Sequence, residues 1–147
     1  SLKEIFRMFI NGSRETAEAD KYVSYLQIKT PSIEQKVENL SGGNQQKVVI
    51  GKWLLTDSKV LILDEPSRGI DIAVKAEIYK IMNELVKQGV IVIMISSELP
   101  EILGMSDRII VMREGKIVAC ADRNEMNQEV IMKYATGSGS DETAHLA

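Results

Sequence analysis

Three short runs of this sequence carry residue types suited to phosphate chemistry. In Leu40-Ser41-Gly42-Gly43-Asn44-Gln45-Gln46, a hydroxyl and two glycines stand where a helix is about to start. The first backbone N–H groups of a helix lack internal partners, and with the helix dipole they favour an anion. Glycine lets a phosphate approach the backbone closely, and Ser41 can either cap the helix or donate to a phosphate oxygen. Taken alone, such a turn is an ordinary capped helix start, because Ser-Gly-Gly turns are common. Further on, Asp64-Glu65-Pro66 closes an apolar run with two carboxylates and a proline. One carboxylate can hold Mg²⁺ while its neighbour orients and deprotonates water, the division of labour that phosphoryl transfer requires. Acidic residues are also ordinary at a solvated strand end. Asp71, near the start of the next helix, fits a plain N-cap equally well.

These runs need elements to hold them. Residues 2 to about 57 read as helical: one stretch over 2–9, a break at Gly12, and a second over 13–28 with apolar Tyr22, Tyr25, Leu26 and Ile28 late in it. After Thr30-Pro31, Ser32 and Gln35 have capping-box spacing and predict a short helix through Leu40. Val49 with Trp53, and Ile50 with Leu54, stand four apart and predict a helix that follows Ser41-Gly42-Gly43 and ends near Thr56. The pattern then changes. Val60-Leu61-Ile62-Leu63 suits a strand buried on both faces, which implies a parallel sheet. Val74, Ile78, Ile81, Met82 and Leu85 recur at helical spacing before Gly89, and a second strand-like run covers 90–95. Strand, helix and strand of these lengths make a right-handed crossover whose binding residues lie at the strands' carboxyl edge. A short helix over 99–103, strands over 108–112 and 116–120 joined at Glu114-Gly115, and a helix over 124–134 complete the order. The Gly-Ser-Gly-Ser-Asp tail should be disordered. There is no internal repeat.

Composition narrows the class. With 147 residues and 44% hydrophobic content, the chain fits one domain or part of one and can bury a sizeable core. Its formal net charge of -3, with basic residues scattered, lacks the electrostatic footprint of a nucleic-acid binder. Cys120 is single and sits in an apolar run, so it reads as a small core residue and points to the cytoplasm. No apolar stretch is long enough to cross a bilayer, and the opening residues do not form a signal peptide, so membrane association is expected to go through a partner. The Ser1-Leu2 start, without an initiator methionine, suggests an excised piece.

In order and spacing, the motifs resemble the ATP-binding cassette family. Leu40-Ser41-Gly42-Gly43-Asn44-Gln45-Gln46-Lys47 resembles its signature motif, Val60 through Pro66 its Walker B strand, and Ser67-Arg68-Gly69-Ile70-Asp71 its D-loop. Ile28-Lys29-Thr30-Pro31-Ser32, Asn44-Gln45-Gln46-Lys47 and Ser96-Ser97-Glu98-Leu99-Pro100-Glu101 look like the second nucleotide-binding domain of the tandem ATPases that energise ribose, galactose and xylose import. The similarity runs from about residue 26 to 137. It implies an α/β fold, part of a P-loop NTPase cassette: a helical subdomain piece over 1–57, the C-terminal half of the ATPase core over 58–136 with a mostly parallel sheet, a crossover helix and a C-terminal β-hairpin, and a tail over 137–147. It also implies roles. Ser41, Gly42, Gly43 and Gln45 would contact ATP held by another cassette; Asp64 would hold Mg²⁺, through water; Glu65 and Ser97 would be catalytic; Asp71 would belong to the D-loop. The implied partners are a second cassette, membrane permease subunits and, indirectly, a sugar-binding protein, with the chain peripheral at the cytoplasmic face of the membrane and no nucleic acid.

Two departures shape the expected mechanism. The phosphate-binding loop needs Gly-x-x-x-x-Gly-Lys followed by Ser or Thr. Gly51-Lys52 is followed by Trp53 and has Gln46 at the first glycine position; Gly115-Lys116 is followed by Ile117 and has Ile110 there. The resemblance places that loop, several strands and the family's glutamine loop before residue 1, so Gln35 is not the metal-linked glutamine, and a sheet lacking those strands would have an unpaired edge open to self-association. The family's switch histidine, in turn, is replaced by Ser97, and the one histidine is His145 in the polar tail. Serine hydrogen-bonds but cannot relay a proton as imidazole does. Second domains of the sugar ATPases commonly carry Ser-Ser-Glu here and form the weaker of two composite sites, each sandwiching ATP between one domain's phosphate loop and the other's signature. Of the alternatives, a chromosome-maintenance or repair ATPase predicts a histidine at 97 and coiled-coil insertions, and a non-catalytic module keeps the motifs only as a dimerisation surface.

Overall fold

The computed structural model describes residues 12–138; the helix expected over 2–9, His145 and the tail beyond 138 lie outside them. Helix α1 (Gly12–Tyr25) stops three residues short of the expected Ile28. Gln27 turns left-handed at φ 52°, Ile28 N donates to Val23 O at 2.9 Å and Gln27 N to Ser24 O at 3.2 Å. This is the Schellman closure, which satisfies the last carbonyls and turns Leu26 and Ile28 inward.

The short helix predicted after Pro31 does not form. Gln35 N closes a turn on Ser32 O at 3.3 Å, Thr30 Oγ1 donates to Ser32 O at 2.7 Å, and only a 3-10 turn follows at Val37–Asn39. Capping-box spacing at Ser32 and Gln35 thus marks a turn, in which the Ser32 carbonyl accepts from Gln35 N and Thr30 Oγ1. Helix α2 (Gly42–Leu54) begins where the sequence placed it, with Ser41 at its N-cap. Strand β1 (Val60–Asp64), helix α3 (Ile72–Lys87) and strand β2 (Ile91–Ile95) make the expected strand–helix–strand unit, β1 pairing with β2. Gly89, at φ 87°, supplies the turn between α3 and β2.

The described chain forms two compact units, meeting between Ile93 and Met94. In the first, Leu26, Ile50, Leu61, Leu63, Ile78, Met82 and Leu85 form the buried apolar set. Here β1 departs from expectation: Leu61 and Leu63 are buried, but Val60 and Ile62 stay 47% and 62% exposed. Ile91 and Ile93 of β2 are exposed as well. Among the described residues of this unit nothing covers that sheet face, so the unbroken apolar run yields one buried face only.

In the second unit, α4 (Leu99–Met105) precedes a hairpin of β3 (Arg108–Arg113) and β4 (Lys116–Asp122). Glu114 and Gly115 both have positive φ, 52° and 73°, the two-residue turn that matches strand twist. The final helix starts later than predicted. Asp122 and Glu125 form a capping box around a 3-10 turn (Arg123–Glu125), Asn127 then accepts from Val130 N at 2.9 Å, and α5 (Gln128–Thr136) runs to Gly137, at φ 74°. Ile109, Val111, Ala119, Ala121, Met126 and Ile131 make this unit's core, and Cys120 is half-buried. No helix among the described residues is long and apolar enough to cross a membrane.

Candidate functional site

Ser41 holds the N-cap position of α2, with φ -61° and ψ 153°, yet its side chain makes no capping bond. Instead its Oγ accepts from Asn44 Nδ2 at 2.9 Å. Capping, like this bond, would use the oxygen as an acceptor, so neither takes up the one proton a hydroxyl can donate. Asn44 in turn accepts from Lys29 N through Oδ1 at 2.9 Å, fastening the turn to the loop after α1. Gln45 points back: its Nε2 donates to Leu40 O at 2.8 Å and to Glu38 O at 3.5 Å, bracing the 3-10 turn ahead of the helix.

The two glycines differ in what they are for. A Cβ on Gly43 would lie 2.1 Å from Val74 Cγ1, so only glycine lets α2 rest on the first turn of α3. A Cβ on Gly42 would meet only Ile70 Cγ2, at an ordinary 3.7 Å. Packing therefore explains Gly43 and leaves Gly42 unexplained from the protein side. Gly42 is exposed at the open end of the helix, where an anion would approach.

Asp71 caps α3, its Oδ1 accepting from Ala73 N and Val74 N, each at 3.1 Å. The signature-like turn and Asp71 are thus brought together through the Gly43–Val74 contact. Asp64, exposed, ends β1; Glu65 follows in the left-handed region at φ 48°, with Arg68 N closing a turn on its carbonyl at 3.2 Å. A non-glycine residue held there stores backbone strain of the kind that collects at working sites. Among the described residues no group of three His, Cys, Asp or Glu side chains forms a metal cage. Adjacent carboxylates at a strand end do suit Mg²⁺, which takes one or two carboxylates and completes its shell with nucleotide phosphates and water. Ser97 lies in the second unit, between β2 and α4, in a turn braced by Ser96: its Oγ donates to the buried Glu101 carboxylate and accepts from Glu98 N at 3.0 Å.

Sequence reasoning missed Lys47. It is 2% exposed, and its Nζ lies 2.7 Å from Glu77 Oε2 and donates to Gln27 O at 3.1 Å. That hydrogen bond, then the lysine's charge, holds the Glu77 carboxyl below its usual range. Away from these groups, an apolar groove of about 210 Å³ runs between α1, the 28–40 segment and α2, lined by Tyr22, Val23, Ile28, Ile33, Leu40 and Val48 among others.

The ABC transporter family profile matches residues 2–68. The xylose import ATP-binding protein XylG of Thermoanaerobacter pseudethanolicus is 65% identical over 128 residues, 87% of this chain and 25% of that protein. This chain is part of an ABC transporter ATPase domain. The ribose import ATP-binding protein RbsA of Shouchella clausii is 58% identical over 87% of the chain and 26% of its own length. A solved ATP-binding cassette of an ABC transporter superposes with TM-score 0.70 at 26% identity, covering 80% of this chain and 48% of that one. The cassette piece described here thus spans about a quarter of the length of these curated relatives. Its α/β fold is that of the P-loop NTPase cassettes it superposes on.

Proposed function

We propose that this chain is the C-terminal portion of an energy-coupling ATPase subunit of a bacterial sugar importer. It binds and hydrolyses ATP with Mg²⁺ only as part of the longer protein. In that reading residues 1–57 are the helical signature-bearing piece and 58–136 the second half of the ATPase core. Ser41, Gly42 and Gly43 face ATP held by another cassette, with Gln45 bracing their turn. Asp64, Glu65 and Asp71 serve the chain's own site, which Ser97 weakens by standing where a proton-relaying histidine would act.

The observation that carries the reading is the helix start at Ser41-Gly42: a hydroxyl that makes no capping bond and a glycine that no packing contact requires. The names of the relatives, which import xylose and ribose, supply the substrate class. The exposed sheet face of Val60, Ile62, Ile91 and Ile93 suits burial against the rest of a cassette. The protein sits peripherally at the cytoplasmic face, held by permease subunits that receive sugar from a binding protein, and the apolar groove beside α1 is the proposed permease dock. Photo-cross-linkers at Tyr22 and Val48 in the full-length protein, assembled in membranes, are expected to capture the permease. Cross-links that reach only another cassette would place the dock elsewhere.

A further inference from the structure

We infer that Lys47 is a positioning residue for the signature turn: its buried ammonium, shared between Glu77 and the Gln27 carbonyl, sets how the start of α2 is presented to nucleotide. The inference rests on the proposed role of that turn at another cassette's ATP. Lysine is almost never fully buried unless paired, yet Lys47 is 2% exposed while the Glu77 side chain remains 43% exposed. The pair is lopsided. The lysine bears nearly full desolvation, whereas its partner stays half in water, so the arrangement is a poor way to gain stability alone.

Its placement points to another use. Lys47 stands four residues after Gly43 on α2 and so shares its face; Glu77 stands three after Val74 on α3. The α2–α3 contact therefore has two points, a close backbone approach at Gly43 and Val74 and an ionic one a turn further along. A single close contact lets one helix swivel on the other; a directional second contact removes that freedom. The third arm reaches α1, where Gln27 is fixed left-handed at φ 52° and its carbonyl accepts from Lys47 Nζ at 3.1 Å. Apolar side chains would fill the same space, but without the directional hydrogen bonds that tie Lys47 Nζ to Glu77 Oε2 and the Gln27 carbonyl. Backbone N–H groups that receive a phosphate need the helix's rotation fixed.

The test compares variants of the full-length, assembled ATPase. Lys47→Met with Glu77→Leu conserves volume and removes both charges, a change often neutral for stability. Its melting temperature is expected to stay near wild type while kcat falls about tenfold and KM for ATP rises several-fold. Loss of folded enzyme would lower kcat without raising KM. Lys47→Arg, which keeps charge and donors, is expected to retain most turnover. Wild-type kcat and KM in a double variant that melts like wild type would overturn the inference. Should the double variant not fold, Glu77→Gln decides, assayed well below its melting temperature: a raised KM supports the inference, and unchanged kinetics overturn it. Gly42→Asp, run alongside, keeps the two ideas apart, because full turnover there would sink the signature reading itself.

Discussion

Gly42→Asp in the full-length ATPase is expected to collapse ATP turnover, by at least about 10²-fold, while Glu65→Gln leaves much of it standing. The substitution is mild for the fold. A Cβ at Gly42 meets only Ile70 Cγ2 at 3.7 Å, and an acidic side chain in a helix's first turn is favourable to the dipole. It is severe for the site, because the new carboxylate occupies the place where a phosphate oxygen would be received and repels it. Glu65, by contrast, is proposed to serve the chain's own site, the weaker of the two in that reading. In a fully competent site, loss of the group that activates water removes about 10²-fold or more. Where that site already turns over slowly, its loss changes the total little. Steady-state rates of both variants in the assembled transporter check this. Equal collapse would mean that Ser97 supports catalysis and that labour between the two sites is not divided.

The chain of 147 residues by itself is expected neither to hydrolyse ATP nor to bind Mg-ATP tightly. Nucleotide affinity in P-loop enzymes comes chiefly from backbone N–H groups and a lysine that cradle the phosphates, and no Gly-x-x-x-x-Gly-Lys-Ser/Thr run occurs in this sequence. What remains, Asp64 and Glu65, is anionic and repels phosphate without a metal between them. The open helix start offers a few N–H groups in water, where a lone anion contact is weak. Calorimetric titration with Mg-ATP should show no saturation through the micromolar range. A micromolar dissociation constant would overturn the division of roles drawn here.

The motifs were legible because they are local. Ser41-Gly42-Gly43, Asp64-Glu65-Pro66 and Asp71 announce a helix start, a strand end and a cap within a few residues each, and the helix over 72–87 and the Glu114-Gly115 hairpin follow from periodicity and turn chemistry. What escaped depends on distant partners. Nothing near Lys47 in sequence announces that Glu77 will reach its ammonium, and composition argues against a buried lysine. Asn44 reads as part of a motif, yet it also donates to Ser41 Oγ and accepts from Lys29 N, fifteen residues away. Ser32 and Gln35 carried a helix signal that Thr30 and a backbone turn overrode. The apolar run of β1 promised burial on both faces; a second covering layer, which no residue within the run can reveal, decides whether it comes.

The central claim is that Ser41 and Gly42 meet the phosphates of ATP held by another cassette, and photolabelling tests it most directly. The full-length, assembled ATPase is incubated with an ATP analogue carrying a photoreactive group on its terminal phosphate, irradiated, digested and mapped by mass spectrometry. Adducts are expected on the peptide containing Ser41 through Gln45, and Gly42→Asp should abolish them. Saturating, competable binding of the analogue with no adduct on that peptide would contradict the account.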